Sequence, residues 1–394
     1  MTEKNLTDKQ LLNKYRGCLL GGAVGDALGV PVEFPDEADI FNKYGRRGIT
    51  NFTKLSGTGK FTDDTQMTLF TTAGLLACDV NETITTIREE NKQEENTNIF
   101  TASSVNLHKR DYIPYIADAY RDWLQTQRQH GVPFDAQKHS WLRDVDELYY
   151  RLAPGRTCLT SIMEGCDGTI KNPKNDSKGC GGVMRVAPVG LFLGATGLRL
   201  EEADRIAAEA AALTHGHDLG YIPAAALSHI VSLVVHRGAG LQEAAEDSIA
   251  AARKLFAGFP DIQYFTELMQ KAVQLSQSDM PVQDAIHELG EGWVAEETLA
   301  IAVYCCLRFP ESFADAVIAS VNHWGDSDST GAVAGNIMGA WLGMEAIPKK
   351  LAENIYLKEV VLEVADDLFE YRESRKHSET PMEVWKKKYG AGSV

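Results

Sequence analysis

The apolar residues of this 394-residue chain recur in helical rather than strand rhythm. Over residues 201–213, 224–235, 241–256, 296–307 and 312–321, Ala, Leu and Ile return at intervals of three and four, which gathers them on one face of a 3.6-residue helix. Pro223 stands just ahead of the second of these, where a helix readily begins. Another apolar helix starts near Leu11 and is ended by Pro31, one runs to about Cys78, and one covers 332–342. Alternating Val/Ile/Thr runs joined by Asn-Gly or Asp-Gly turns are almost absent. The pattern predicts a predominantly α protein, and the many Ala and Gly residues predict helix axes that approach closely.

No Pro/Gly/Ser-rich linker and no fixed-period repeat divides the chain. A single domain over 1–394, with a core of about 11–365, is therefore expected. Residues 81–139 differ in texture, being polar and carrying the run Glu89-Glu90-Asn91-Lys92-Gln93-Glu94-Glu95; they read as a surface insertion or lid. Residues 370–394 are also polar and read as a peripheral tail.

Composition adds limits. Hydrophobic residues make up 44% and charged residues 24%, ordinary for a soluble chain that buries a core. A formal net charge of −16 disfavours nucleic acid and anionic membrane surfaces as partners. Any phosphate-bearing ligand must then be drawn in locally, by a cation or by backbone N–H groups. The seven cysteines form no C-x-x-C pair and are odd in number, so neither a zinc cluster nor a disulfide framework is indicated. Reduced thiols, a polar N-terminus without the apolar core of a signal peptide, and no uninterrupted apolar run of about twenty residues predict a cytoplasmic protein without a membrane span.

Two segments look unlike helix surface. Gly59-Lys60-Phe61-Thr62-Asp63-Asp64-Thr65-Gln66-Met67 opens one apolar helix, and Trp324-Gly325-Asp326-Ser327-Asp328-Ser329-Thr330-Gly331 opens another. Asp, Ser and Thr at a helix start are ordinary N-caps. Capping, however, needs one or two such residues, and here they crowd a single turn. Carboxylates packed so tightly repel one another, and a hard cation such as magnesium, manganese or calcium relieves the repulsion through carboxylate and hydroxyl oxygens.

Three rival motifs can be weighed by spacing. Asp326-x-Asp328-x-Thr330-Gly331 begins like a calcium-binding EF-hand loop, but its twelfth place holds Ile337 instead of a bidentate Glu. The same residues fit the D-x-D-x-T loop of haloacid dehalogenase-like phosphatases, which needs a buried strand before it and a long α/β domain after it. Neither is present in the pattern. Gly57-Thr58-Gly59-Lys60 hints at a phosphate loop but lacks the first glycine and continues with Phe61.

A third acidic element is Gly25-Asp26-Ala27-Leu28-Gly29, followed by Glu33 between Val32 and Phe34. Together with Thr62-Asp63-Asp64-Thr65 and Gly325-Asp326-Ser327-Asp328-Ser329, and in the same order along the chain, it resembles the ADP-ribosylglycohydrolase family. Between these pieces lie Ala153-Pro154-Gly155-Arg156-Thr157-Cys158, then Gly179-Cys180-Gly181-Gly182-Val183-Met184-Arg185-Val186-Ala187-Pro188, and Thr214-His215. The resemblance spans residues 15–342. Any one piece is a weak signal; six in sequence are a strong one.

The resemblance implies a single compact all-α, orthogonal helical domain whose cleft holds two Mg²⁺ ions, with Mn²⁺ as an alternative. By position, Thr62, Asp63 and Asp64 would be ligands from one side and Asp326, Asp328 and Ser329 from the other. Glu33 falls where the family places a cleft carboxylate engaged in catalysis, together with Asp63 and Asp328. Gly179, Cys180, Gly181, Gly182 and Met184 would cradle a diphosphate, with His215 against it. The residues alone leave other readings open: a plain turn before a buried helix for the glycines, and helix-terminal histidines for His215 and His217.

This chain departs from the family pattern at three points. Cys180-Gly181-Gly182 stands where Asn-Gly-Ser is common, which removes two polar side chains from the loop. Ser329 replaces a commoner Thr and keeps the hydroxyl. Trp324 replaces a glycine and places an aromatic ring near the cleft. The implied reaction is hydrolysis at the anomeric carbon of the distal ribose, releasing ADP-ribose from a protein side chain, arginine first and serine second. Glu33 would serve as acid or base. Two alternatives remain: a protein that neutralises an ADP-ribosyltransferase toxin by covering it, and a hydrolase of a free ADP-ribosyl small molecule.

Overall fold

The computed structural model describes residues 6–52, 59–94, 110–127, 134–196, 198–377 and 382–390. Among them are seventeen α-helices and no strand beyond two isolated bridges. The first half contains α1 (Asp8–Gly29), α2 (Glu37–Tyr44), α3 (Asp63–Glu94), α4 (Tyr112–Thr126), α5 (Arg156–Met163), α6 (Ala187–Leu193) and α7 (Leu200–Ala212). The middle holds α8 (Asp218–Ser232), α9 (Leu241–Leu255), α10 (Ile262–Ser276), α11 (Val282–His287) and α12 (Ala295–Arg308). The chain closes with α13 (Phe313–Val321), α14 (Ser327–Leu342), α15 (Lys349–Ala352), α16 (Lys358–His377) and α17 (Met382–Tyr389). The predominantly α expectation from periodicity is met.

The axis of the fold is the pair α1 and α14, which run antiparallel in backbone contact. Gly17, Gly21 and Gly25 on α1 face Gly339, Gly335 and Gly331 on α14. A Cβ added at Gly25 would stand 1.9 Å from the Gly331 carbonyl oxygen, and one at Gly335 would stand 2.0 Å from that of Gly21. Glycine every fourth residue is what lets two backbones meet so closely. The ladder has a functional consequence. It brings the end of α1, with Asp26 and the following Glu33, beside the start of α14, with Asp326 and Asp328.

Three sequence expectations are corrected. Helix α8 begins at Asp218, capped by His217, so Pro223 lies inside the helix and not at its start. Of the segment 81–139, residues 81–94 continue α3, while α4 is part of the core: Tyr112, Ile116, Tyr120 and Trp123 are all buried. Asp118, Arg121 and Gln125 are only half-buried, but Asp122 and Thr126 are buried with the apolar residues, and these polar side chains are why the stretch read as surface. The remainder of that segment at 95–109 and 128–133 lies outside the described residues. The polar C-terminal stretch is likewise anchored in part, because α17 buries Trp385 and Tyr389, and the Tyr389 hydroxyl donates to Asp367 at 2.5 Å. Helix α8 and its continuation, Asp218–Arg237, are long and apolar enough by composition to cross a membrane, yet nearly all of that stretch is buried inside the protein. All seven cysteines are free.

Candidate active site

The cleft is built where two helix N-termini meet. At α3, a residue from another helix does most of the capping, beside the longer local bond from the Asp64 N–H to the Thr62 hydroxyl at 3.3 Å. Asp26, fully buried on α1, accepts hydrogen bonds from the backbone N–H of Thr62 (2.9 Å) and of Thr65 (3.0 Å) and from the Thr65 hydroxyl (2.5 Å). The local carboxylates are thereby released from capping. Asp63 accepts from the Gly155 N–H at 3.0 Å, at the start of α5. Asp64 keeps one oxygen, Oδ2, buried and without any hydrogen-bond partner. Such an oxygen is costly unless something electropositive occupies the space before it.

At α14, the capping residue is local. Asp326 is the N-cap and accepts from the Ser329 N–H at 3.3 Å, while Asp328 accepts from the same N–H at 3.0 Å. The sharp entry into this turn needs Gly325, whose φ is +143° and whose added Cβ would lie 1.9 Å from the Glu291 carbonyl oxygen. From the facing loop, the Cys180 thiol donates to Asp326 Oδ2 at 2.8 Å.

Burial and mutual repulsion act on all of these groups in one direction. Desolvation, then the charge of Asp328, pushes Glu33 and Asp26 each up to about 8. Burial pushes Asp63 up to about 7, with the Gly155 N–H pulling the other way. Asp64 and Asp326 are driven well above the usual carboxylate range by burial and then by Asp328, and Asp328 is raised by burial. Five carboxyl groups thus share a cleft whose described lining includes one cationic side chain, Arg156. Their donor set, carboxylate oxygens with the Ser329 hydroxyl, suits a hard divalent cation. Among the described residues, however, no three carboxylate, imidazole or thiol side chains form a ready-made cage around one point. The donors line a common space instead.

The opposite wall is the turn Gly179 to Gly182. Gly179, Cys180 and Gly181 line the cleft with Met184, His215 and, from the α5 start, Gly155, Arg156, Thr157 and Cys158. The cavity encloses about 240 Å³ and is also bounded by Glu33, Asp63, Asp64, Asp326, Asp328, Ser329, Ala153 and Trp293. His215 is buried, and burial with the nearby charge of Arg185 pushes it down to about 3, so the ring is neutral. Gly181 has no room for a side chain, since a Cβ there would meet His215 at 2.8 Å and the Cys158 sulfur at 2.9 Å.

Two expected site residues are buried and not among those that line the cavity. Thr62 is fully buried, its hydroxyl accepting from the Asp64 N–H at 3.3 Å and lying within hydrogen-bonding reach of Asp328, beside the other expected ligands. Gly182 is buried, and an added Cβ would lie 2.5 Å from the Gly220 carbonyl oxygen, so close packing already requires a glycine there. His217 caps α8, accepting from the Leu219 N–H at 3.1 Å, and is not among the lining residues. Trp324 is half exposed beside the cleft and lines an adjoining hollow of about 600 Å³ that shares Trp293.

Sequence reasoning quoted Asp26 within a motif but gave it no role. A lone carboxylate inside the apolar run of α1 was the available signal. Trp293 and the Gly155 N–H had none, because each matters only through what folding brings opposite it.

Comparison with known proteins agrees with this architecture. The profile of the ADP-ribosylglycohydrolase family matches residues 7–378. The chain is 24% identical to the ADP-ribosylhydrolase ARH3 of Bos taurus, covering 86% of this chain and 87% of that protein. It is 24% identical to the ADP-ribosylarginine hydrolase Tri1 of Pseudomonas putida (strain GB-1), over 93% of this chain and 80% of that one. A solved structure described as an ADP-ribosylglycohydrolase-related protein complex superposes with a TM-score of 0.57 at 21% identity, covering 92% of this chain and 99% of that one. With a matched fold and the six motif pieces in family order across nearly its whole length, the chain belongs to the ADP-ribosylglycohydrolase family.

Proposed function

We propose that this cleft hydrolyses the glycosidic bond between ADP-ribose and a protein side chain, with arginine favoured and serine second, and that it does so with bound Mg²⁺. The observation that carries the reading is the gathering of Glu33, Asp63, Asp64, Asp326 and Asp328 around one cavity, with a buried Asp64 oxygen left unpartnered. Arginine is favoured because a relative covering most of this chain is named an ADP-ribosylarginine hydrolase.

Thr62, Asp63, Asp64, Asp326, Asp328 and Ser329 would hold the metal; Mn²⁺ suits the same oxygens. Two bound ions would supply a grip on the ribose hydroxyls and a water of lowered pKa. The chain's own residues do the rest. Asp26 fixes the α3 start so that Asp63 and Asp64 face the cavity. Glu33 makes no hydrogen bond to another described residue and stands at the cavity edge, free to give a proton to the leaving group or to take one from water. Gly179, Cys180 and Gly181 leave a side-chain-poor wall on which a diphosphate can lie against backbone. Met184 and His215 close its far end.

The test is release of ADP-ribose from arginine-modified and serine-modified peptides by the purified protein. Release is expected in Mg²⁺, abolished by chelation, and reduced on the order of 10²–10⁴-fold in Glu33→Gln. A protein that binds no Mg²⁺ and releases nothing from either peptide sinks the reading.

A further inference from the structure

Arg185 is wholly buried and, among the described residues, pairs with no carboxylate. Its guanidinium lies over the Tyr120 ring, 4.3 Å from the centroid, and its Nε has no partner. Nη1 faces the sulfurs of Cys158 (3.5 Å) and Met67 (3.6 Å), and Nη2 donates to the Ala210 carbonyl at 3.1 Å and to the Thr214 hydroxyl oxygen at 2.8 Å. A buried, unpaired charge costs stability, so its position calls for another explanation.

The Thr214 hydroxyl supplies one. Arginine can only donate, so one lone pair of Thr214 Oγ1 is filled by Arg185. The single hydroxyl proton then has three acceptors within reach: His215 Nδ1 at 2.8 Å, the Ala211 carbonyl at 3.5 Å and the Cys158 sulfur, a weak acceptor. The shorter contact wins decisively, since 3.5 Å lies at the edge of hydrogen bonding. The adjacent positive charge strengthens Thr214 as a donor and disfavours a second N–H aimed at the same oxygen. His215 Nδ1 is therefore the acceptor, and the ring proton sits on Nε2. Nε2 makes no hydrogen bond to another described residue and borders the glycine wall, 3.4 Å from where a Cβ on Gly179 would stand.

We infer that Arg185 is a positioning residue which, through Thr214, fixes His215 as the Nε2–H tautomer and so presents one aimed N–H donor to an anionic oxygen bound at Gly179–Gly181. The ligand half of this inference rests on the function proposed above; the tautomer half does not. Burial and the charge of Arg185 hold the ring neutral, so the donor persists across the working pH range without adding a charge. The side-chain-poor wall Gly179–Gly181 thus gains a donor from behind.

The experiment is a long-range ¹⁵N–¹H correlation spectrum of the full-length protein labelled at histidine, with the His215 signals assigned by His215→Gln, beside titration with ADP-ribose. Wild type is expected to show Nε2–H only. Thr214→Val and Arg185→Met are expected to move the ring to a mixture of tautomers and to weaken ADP-ribose binding roughly tenfold or more; Thr214→Ser restores both. A wild-type ring in the Nδ1–H form overturns the inference, and needs no variant to fold. So does a folded Thr214→Val or Arg185→Met protein with tautomer and affinity unchanged. A wild-type ring in the Nε2–H form on a protein that neither binds nor cleaves ADP-ribose upholds the tautomer assignment and overturns the functional reading instead.

Discussion

The two helix starts that form the cleft look alike in sequence and are wired differently. Helix α14 caps itself: Asp326 and Asp328 both accept from the Ser329 N–H, and Cys180 takes up a further Asp326 oxygen. Helix α3 is capped from outside by Asp26, and its own Asp64 is left with an unpartnered oxygen. One acidic turn therefore shares its carboxylates between folding and chemistry. The other is relieved of the folding task by a distant residue. The lesson is that an aspartate at a helix start is a cap or a free ligand according to who else satisfies the N–H groups.

The largest test of this contrast sets Asp64→Asn against Asp326→Ala. Both should lower Mg²⁺ affinity and hydrolysis by more than the about 100-fold that loss of an outer-shell partner reaches. Metal-free stability should separate them. Asp64→Asn is expected to leave the denaturation midpoint unchanged or raised, since it removes a repelled carboxylate, whereas Asp326→Ala loses about 1 kcal/mol with its cap. Equal losses in chemical denaturation would erase the distinction.

The shared support of both turns is the α1–α14 ladder. Gly335→Val drives a side chain into the Gly21 carbonyl and should cost about 3 kcal/mol or more, read as a lowered unfolding midpoint. The outside cap comes next. Asp26→Ala strands the Thr62 and Thr65 N–H groups and should cost about 2 kcal/mol, with Mg²⁺ affinity falling as Asp63 and Asp64 turn back to cap α3. Retained metal affinity in that variant would show that the outside cap is not what frees them.

The smallest expected effect is a slope with pH. Asp26 and Glu33 are raised to about 8 and Asp63 to about 7 in the fold, against ordinary carboxyl values near 4 when unfolded. The folded chain then binds more protons than the unfolded one between about pH 4 and 8. Its stability is greatest at the acid end of that window and declines as pH rises through the folded values. In chelator, the thermal midpoint should fall from pH 5.5 to 8.5; saturating Mg²⁺ should flatten the curve. Parallel curves with and without the metal would argue that the cluster does not take up a cation.

Much of the fold was legible because helix formation is governed by neighbours three and four residues away. The five helices read over 201–321 match α7, α8, α9, α12 and α13 to within a few residues, except that Pro223 is tolerated within α8. The acidic turns were legible for a related reason: crowding of like charges in one turn is a local fact. Helix α4 was misread because its apolar face is spread among polar residues, and α17 because two aromatics in a charged stretch do not announce their burial.

The sequence by itself determined the helices, the acidic turns and the small residues that allow close packing, all of which follow from spacing along the chain. Only the tertiary structure decided which carboxylate caps and which is free, that Thr62 is buried beside Asp328, and that Arg185 reaches His215 through Thr214. Those outcomes depend on contacts between residues up to some three hundred positions apart, and hydrogen-bond partners at that range are chosen by packing, not by local pattern.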